Sequence, residues 1–453
     1  MPHNRDVRVA LISTYELGRQ PFGLASPAAW LRAAGHEVTQ IDLSCSPLPL
    51  DAVAAAGLIA FFLPMHTATR LFFQVLERVR AANPQAHLCA YGLYAPLNGN
   101  LLRLAGVSTV LGGEFEQPLA DLAARLAVRG ADSPLEGSIS TSLGRQQFLV
   151  PDRGGLPPLG AYAQLVTPQG TRPVGYTEAS RGCKHLCRHC PVVPVYRGTF
   201  RVVQADVVLE DIRRQVAAGA RHITFGDPDF FNGPGHGMAI VKALHREWPE
   251  LTYDVTIKVE HLLARRDLLP SLRATGCAFV TSAVESLDDH VLEKFNKGHT
   301  RADFLEALRL TREAGLELSP TFLPFHPWTT WDSYRSFLRE LMELGLADRV
   351  APIQLAIRLL IPAGSLLLDL SEIRQRVDPF DPNSLCYHWY NDDPSVDRLC
   401  ESIQEWIKSA ERCHQPRAVI FRRIWDLAGA GVLPAEPLVS RAAIPYLTEP
   451  WYC

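Results

Sequence analysis

Two runs of alternating strand-like and helix-like segments, parted by a stretch rich in Gly, Pro and Ser, constrain this chain more than anything else in it. In the first run, 7–13, 37–41, 57–62, 86–91 and 108–111 read as buried strands, and 24–34, 67–82 and 116–126 carry helical spacing. Strands separated by helices make a parallel sheet covered on both faces, so residues 1–130 are expected to form one doubly wound domain. Its ligand crevice would lie outside the C-terminal ends of the strands. Residues 131–172, with SPLEGSIS and PDRGGLPPLG, read as a linker. The alternation resumes over 173–360, with strands expected at 173–177, 222–225, 253–257, 278–282, 316–323 and 353–359. Helices are expected between them, at 204–218, 236–248, 301–314 and 331–344. Six such units suggest a partial (β/α)6 barrel with its chemistry on loops at the strand C-termini. Residues 361–453 read as a mostly helical C-terminal cap, with helices over 397–413 and 417–429 and an aperiodic tail, PYLTEPWYC.

The length of 453 residues suits two or three domains, and 47% hydrophobic residues suit a globular chain. A net charge of −3 leaves no footprint for nucleic acid. No apolar run approaches the roughly 20 residues that span a bilayer. The opening MPHNRDVRVALIS lacks signal-peptide architecture. The expectation is a cytoplasmic protein with neither nucleic acid nor membrane as partner. Ten cysteines in that compartment read as buried thiols or metal ligands, not as a disulfide framework.

Three of them stand out. Cys183, Cys187 and Cys190 fall in the segment SRGCKHLCRHCP, right after the first strand of the second run. Four thiolates would close a 4Fe–4S cluster, so three leave one iron open, as an open zinc position marks a catalytic site. A zinc reading would recruit His185 or His189 from inside the loop. Cys45, Cys89 and Cys277 lie in or near expected strands and read as buried apolar residues. Cys386, Cys400 and Cys413 lack a C-x2-C element, which argues against a second cluster.

The C-x3-C-x2-C loop in this setting resembles the radical S-adenosylmethionine (SAM) superfamily. VESLDDHVLEKFNKGHT, RHITFGDPDFF and the Arg181-Gly182 pair before the first cysteine resemble further segments of it, in the same order. The resemblance implies a 4Fe–4S cluster held by Cys183, Cys187 and Cys190. Its open iron would bind the amino and carboxylate groups of SAM, and one electron would cleave an S–C bond. It implies a reductant such as flavodoxin or ferredoxin. Gly226 and Asp227 would meet the methionine ammonium, and Glu285 and Ser286 would face SAM. Lys258 would pair with the SAM carboxylate or else be a solvated strand-end lysine. Asp229 reads as a turn residue. One segment departs from the family pattern: FLPFHPWTTWDSY places His326 and Trp328 where many relatives have a small turn. They read as a substrate-facing wall or as ordinary packing. PAGSLL resembles the family's turn after the sixth strand.

VSTVLGGEFEQPLADL and PDRGGLPPL resemble segments of cobalamin-binding-type domains that precede such barrels. The first domain therefore reads as a flavodoxin-like Rossmann fold. The usual histidine motif after its first strand is absent, where the chain reads STYELGRQPFG. His66 and Thr67 are the residues offered to a corrin, and Leu93 and Tyr94 stand where a double Gly is usual. A cobalamin holder and a degenerate scaffold both remain open. The EPWYC end loosely resembles radical SAM proteins named for a Cys-Cys or Sec-Cys Ala-Glu-Pro tail, but lacks the Cys pair. Cys453 is left as a candidate hydrogen-atom donor or soft-metal ligand, or as a plain terminal thiol.

The reading is an enzyme that cleaves SAM reductively and modifies a small molecule or peptide, with methyl transfer if cobalamin is present. One alternative is transfer of the 3-amino-3-carboxypropyl group of SAM to a soft nucleophile. Another is a non-catalytic iron–sulfur or zinc module.

Overall fold

The computed structural model describes residues 7–129, 138–433 and 444–449. Cys453 lies outside the described residues. The first sheet contains β1 (Arg8–Ser13), β2 (Glu37–Asp42), β3 (Leu58–Phe62), β4 (His87–Tyr91), β5 (Thr109–Gly113) and β6 (Ser138–Ser142). All six run parallel in the order β2-β1-β3-β4-β5-β6. Alternate residues serve opposite faces. Val9 and Leu11 pack under helices Phe22–Ala33 and Glu116–Arg129, and Ala10 and Ile12 pack under helix His66–Ala82. β6 comes from the segment read as a linker. It is a polar, exposed edge strand, SISTS, with no apolar alternation to announce it.

The second domain begins with the hairpin β7 (Gln164–Thr167) and β8 (Gly170–Thr177). A short ribbon follows, β9 (Ser180–Gly182) antiparallel to β10 (Phe200–Val202). Then come β11 (His222–Phe225), β12 (Thr252–Thr256), β13 (Cys277–Glu285) and β14 (Glu317–Phe322), parallel to β8. The last strand, β15 (Tyr446–Leu447), pairs antiparallel with β7. The order β14-β13-β12-β11-β8-β7-β15 curls, because residues of four successive strands line one cavity.

The expected sixth barrel strand at 353–359 is not there. Pro352–Leu355 is a 3-10 turn, and only Phe325 and Arg358 make a parallel bridge. The Gln354 carboxamide takes the place of a strand: its Oε1 accepts from Phe322 N at 3.1 Å, closing the edge of β14. Helices cover the outer face, and Pro394–Arg412 with Arg417–Ala428 form the cap, both feeding the same large core. Cys89, Cys277, Cys386 and Cys400 are buried, whereas Cys45 is exposed, against expectation, as is Cys413. Cys45 sits just beyond β2 and not in it. Among the described residues no helix is long and apolar enough to cross a membrane.

Candidate active site

The cysteine loop is fixed at its entry, its exit and from below. At the entry, Gly182 has φ +72°, and a Cβ there would lie 2.4 Å from Thr199 O and from the Tyr196 ring. Only glycine suits that backbone. The β9–β10 ribbon then joins the two ends of the loop. Inside it, Cys190 N donates to Cys187 O at 3.2 Å and Val193 N to Cys190 O at 3.2 Å. From below comes the C-terminus of helix Asp289–Phe295. Arg188 N donates to Phe295 O at 2.9 Å, and Arg188 Nη1 to the carbonyls of Glu293 and Lys294 at 3.1 and 2.9 Å. Asn296, in the left-handed region at φ +54°, donates from Nδ2 to Leu186 O at 3.0 Å. Ser365 of the PAGSLL turn donates to Arg188 O at 3.3 Å.

Cys187 is buried, and Cys183 and Cys190 are partly exposed. Burial pushes the Cys183 thiol up and holds that of Cys190 at about 12. A bound cation is what would make such thiols into thiolates. Buried polar atoms without partners surround the loop: Asn232 Nδ2, His189 Nδ1 and both ring nitrogens of His299. Three thiols in one loop, ringed by unsatisfied polar groups, fit an iron–sulfur cluster with a polar ligand beside it.

The residues nominated for SAM gather at this end of the half-barrel. Lys258 Nζ lies 3.7 Å from Cys187 Sγ and 3.5 Å from Glu260 Oε2, and it is buried, not solvated. Glu285 Oε1 lies 3.2 Å from His189 Nε2 and 3.4 Å from Lys297 Nζ. Burial opposes its ionisation, but Lys297 and His189 outweigh that and hold its pKa at about 2. Its backbone has φ +71° at a shift in the β13–β14 register, a conformation that costs a β-carbon residue about 1–3 kcal/mol. Ser286 Oγ accepts from Asp288 N at 3.0 Å. Gly226 leaves no space for a side chain, since a Cβ would lie 1.9 Å from the Tyr176 hydroxyl oxygen. Asp227 accepts from Ala179 N at 2.9 Å and from Ser180 Oγ at 2.5 Å, so its carboxylate braces the approach to the loop.

The sequence reading missed a chain of side chains beside Lys258. Asp229 caps the turn Phe230–Asn232 through Oδ1, as expected of a turn residue. Its other oxygen lies 2.6 Å from His261 Nδ1. His261 Nε2 is 3.3 Å from His185 Nε2, and His185 Nδ1 is 3.5 Å from Glu260 Oε2. Burial and Lys258 hold His185 down near 4, so it is neutral. No spacing in the sequence links residues 185, 229 and 261; only the strand order does.

His326 and Trp328 pack edge-on against Phe295, 6.1 and 6.0 Å between centroids, behind the helix that braces the loop. That is packing. The half-barrel encloses a cavity of about 200 Å³, lined among others by Thr224, Asp254, Thr281, Ser319, Arg19 and Glu449. Glu449 pairs with Arg19 and so ties the tail across it. His66 does not face an open crevice: its Nε2 lies 2.6 Å from Ser384 O of the cap.

Residues 177–341 match the model of the Radical SAM superfamily. They are a radical SAM domain. The radical SAM domain includes the three cysteines and β11 to β14, but not the first sheet or the cap. Relatives include the hopanoid C-3 methylase of Methylococcus capsulatus, 24% identical over 68% of this chain and 62% of that protein. Another is a tRNA-2-methylthio-N(6)-dimethylallyladenosine synthase of Desulfosudis oleivorans, 29% identical over 47% of each chain. This chain therefore spans less than two thirds of either. Similar solved folds include the cobalamin-dependent SAM radical enzyme OxsB, with aqua-cobalamin and SAM bound (TM-score 0.71, 16% identity, 90% of this chain and 67% of that one). The radical SAM methyltransferase TsrM of Kitasatospora setae, with tryptophan and a SAM analogue, gives 0.65 at 17% identity, over 83% and 79%. The fold of those enzymes extends through the first domain as well. The cofactors of a radical SAM domain are a 4Fe–4S cluster and SAM.

Proposed function

We propose that this enzyme cleaves SAM reductively and modifies a small molecule or short peptide seated over the half-barrel. The observation that carries the reading is the convergence of Lys258, Glu285, Lys297 and His189 around a three-cysteine loop. Bound there, the cluster and SAM supply an electron and an S–C bond whose cleavage gives a 5′-deoxyadenosyl radical. Lys258 would offer an ammonium to the SAM carboxylate, and Glu285 would offer charge to the SAM ammonium. Arg188, Asn296 and Ser365 keep the loop in place, and the Arg19–Glu449 tie limits water in the cavity. Cys453 is proposed as a hydrogen-atom donor to the substrate radical, its thiyl radical then restored to the thiol by one electron from the reductant and a proton from solvent. A low-potential reductant such as flavodoxin or ferredoxin would deliver the electron.

A second reading is cobalamin-dependent methyl transfer; the hopanoid C-3 methylase relative and the OxsB and TsrM folds favour it, and the aromatic packing of the first domain opposes it. Aminocarboxypropyl transfer is a third. Anaerobic reconstitution with iron and sulfide, then dithionite and SAM, separates them. 5′-Deoxyadenosine supports the first, S-adenosylhomocysteine formed only with added cobalamin the second, and methylthioadenosine the third. If SAM stays intact although the cluster is present, the enzymatic readings all fail.

A further inference from the structure

In an open parallel sheet the ligand crevice lies beyond the strand C-termini, where the strand order reverses. In the first domain that point is between β1 and β3. It is closed. Thr14 Oγ1 donates to Ala68 O at 2.8 Å, joining the loop after β1 to the helix after β3. Thr14, Tyr15 and Glu16 are all buried.

The groove beside it is filled too. The rings of Phe62, Tyr91 and Phe115 pack together with centroids 4.9 to 6.0 Å apart. Each is at most 6% exposed. Tyr91 donates its hydroxyl to Gly23 O at 2.7 Å, and the Phe62 ring covers Gly23 so closely that a Cβ would lie 2.2 Å from it. A nucleotide tail inserted between the sheet and helix Phe22–Ala33 would have to displace this aromatic cluster. The residues present do not fit cobalamin.

What the strand ends do touch is the cysteine loop. Arg181, two residues before Cys183, lies 2.6 Å from Glu116, 3.5 Å from Glu114 and 2.6 Å from Glu178. Its guanidinium also stacks over Phe115 and Phe148, at 5.0 Å from each. Tyr196, on the far side of the loop, donates to Glu114 Oε1 at 3.2 Å. Glu114 and Glu116, from the GGEFE stretch that ends β5, thus grip the loop at its entry and its exit. Both carboxylates are almost fully buried.

We propose that the first domain carries no corrinoid and serves instead as a clamp on the cluster loop, with Arg181 and Tyr196 as its positioning residues. The clamp rests on the cluster assignment made above; the absence of corrinoid does not. A buried guanidinium set among three carboxylates fixes orientation as well as charge, so the loop geometry is set by the neighbouring sheet.

The test uses the full chain, reconstituted anaerobically with iron and sulfide in excess hydroxocobalamin and then desalted. Metal analysis should find iron and no cobalt above a control protein; cobalt stoichiometric with the chain overturns the proposal. Glu114→Gln and Tyr196→Phe keep the side-chain shapes. Both should lose iron to a chelator on the order of tenfold faster than the wild type, with an altered electron paramagnetic resonance spectrum of the reduced cluster. A lower melting temperature with unchanged chelation and spectrum overturns the clamp. Wild-type protein that takes up no iron overturns the cluster reading and the clamp together, whereas cobalt binding leaves the cluster reading standing.

Discussion

Arg188 Nη1 donates to the carbonyl of Lys294 at 2.9 Å, so a residue between two of the cysteines caps the helix that ends at Phe295. The last carbonyls of a helix have no partner inside it. Here the cysteine loop supplies the donors, and the helix in return supplies a platform. Arg188→Ala should cost about 1 kcal/mol of stability, the net worth of such bonds, and loosen the loop. The expected outcome is faster iron loss to chelator with an unchanged far-ultraviolet dichroism spectrum. Wild-type chelation kinetics would count against the bracing role.

Glu285 Oε1 lies 3.4 Å from the ammonium of Lys297, whose side chain is 3% exposed. Glu285→Gln leaves Lys297 buried without that counter-charge, and breaking such a pair costs about 3–5 kcal/mol. Thermal unfolding should fall by many degrees, and SAM affinity measured on the folded fraction should weaken. If the Glu285→Gln variant melts like the wild type, Lys297 has another partner and the ion pair is not what holds this end of β13.

Much of this could be read from the chain. The strands of the first sheet are runs such as RVALIS and LIAFF, whose apolar residues leave little choice of structure. The cysteine loop announces itself by spacing. β6 did not, because SISTS is polar and owes its place to pairing with β5, not to burial. Nor did the Arg181 clamp, because Glu114 and Glu116 find their partner 65 and more positions away. The His185–Asp229–His261 chain was hidden for the same reason. Ile353–Leu359 looked like a strand by apolar content, but Pro352 and the Gln354 side chain cap the sheet before it can add one.

That capping is testable. Gln354→Ala removes the acceptor of Phe322 N, a buried group with Gln354 as its side-chain partner. An orphaned buried donor costs about 1–3 kcal/mol. Denaturant unfolding should register a loss of that size, and amide exchange at Phe322 should accelerate. Protection at Phe322 equal to wild type would mean that another acceptor replaces the carboxamide.

Asp227 sets a pH dependence of stability. Burial raises its pKa to about 7, against the hydrogen bonds from Ser180 and Ala179 that favour the charge. An unfolded Asp titrates near 4. Between about 4 and 7 the folded protein therefore holds a proton that the unfolded chain has released. The stability linked to Asp227 is fully present below about pH 4 and is lost as the pH rises through about 7. Asp227→Asn is neutral at every pH, so its melting temperature should fall less than that of the wild type between pH 5 and 8. Parallel profiles for the two proteins over that window would show that Asp227 is ionised in the folded state throughout and would remove it as the source of the dependence.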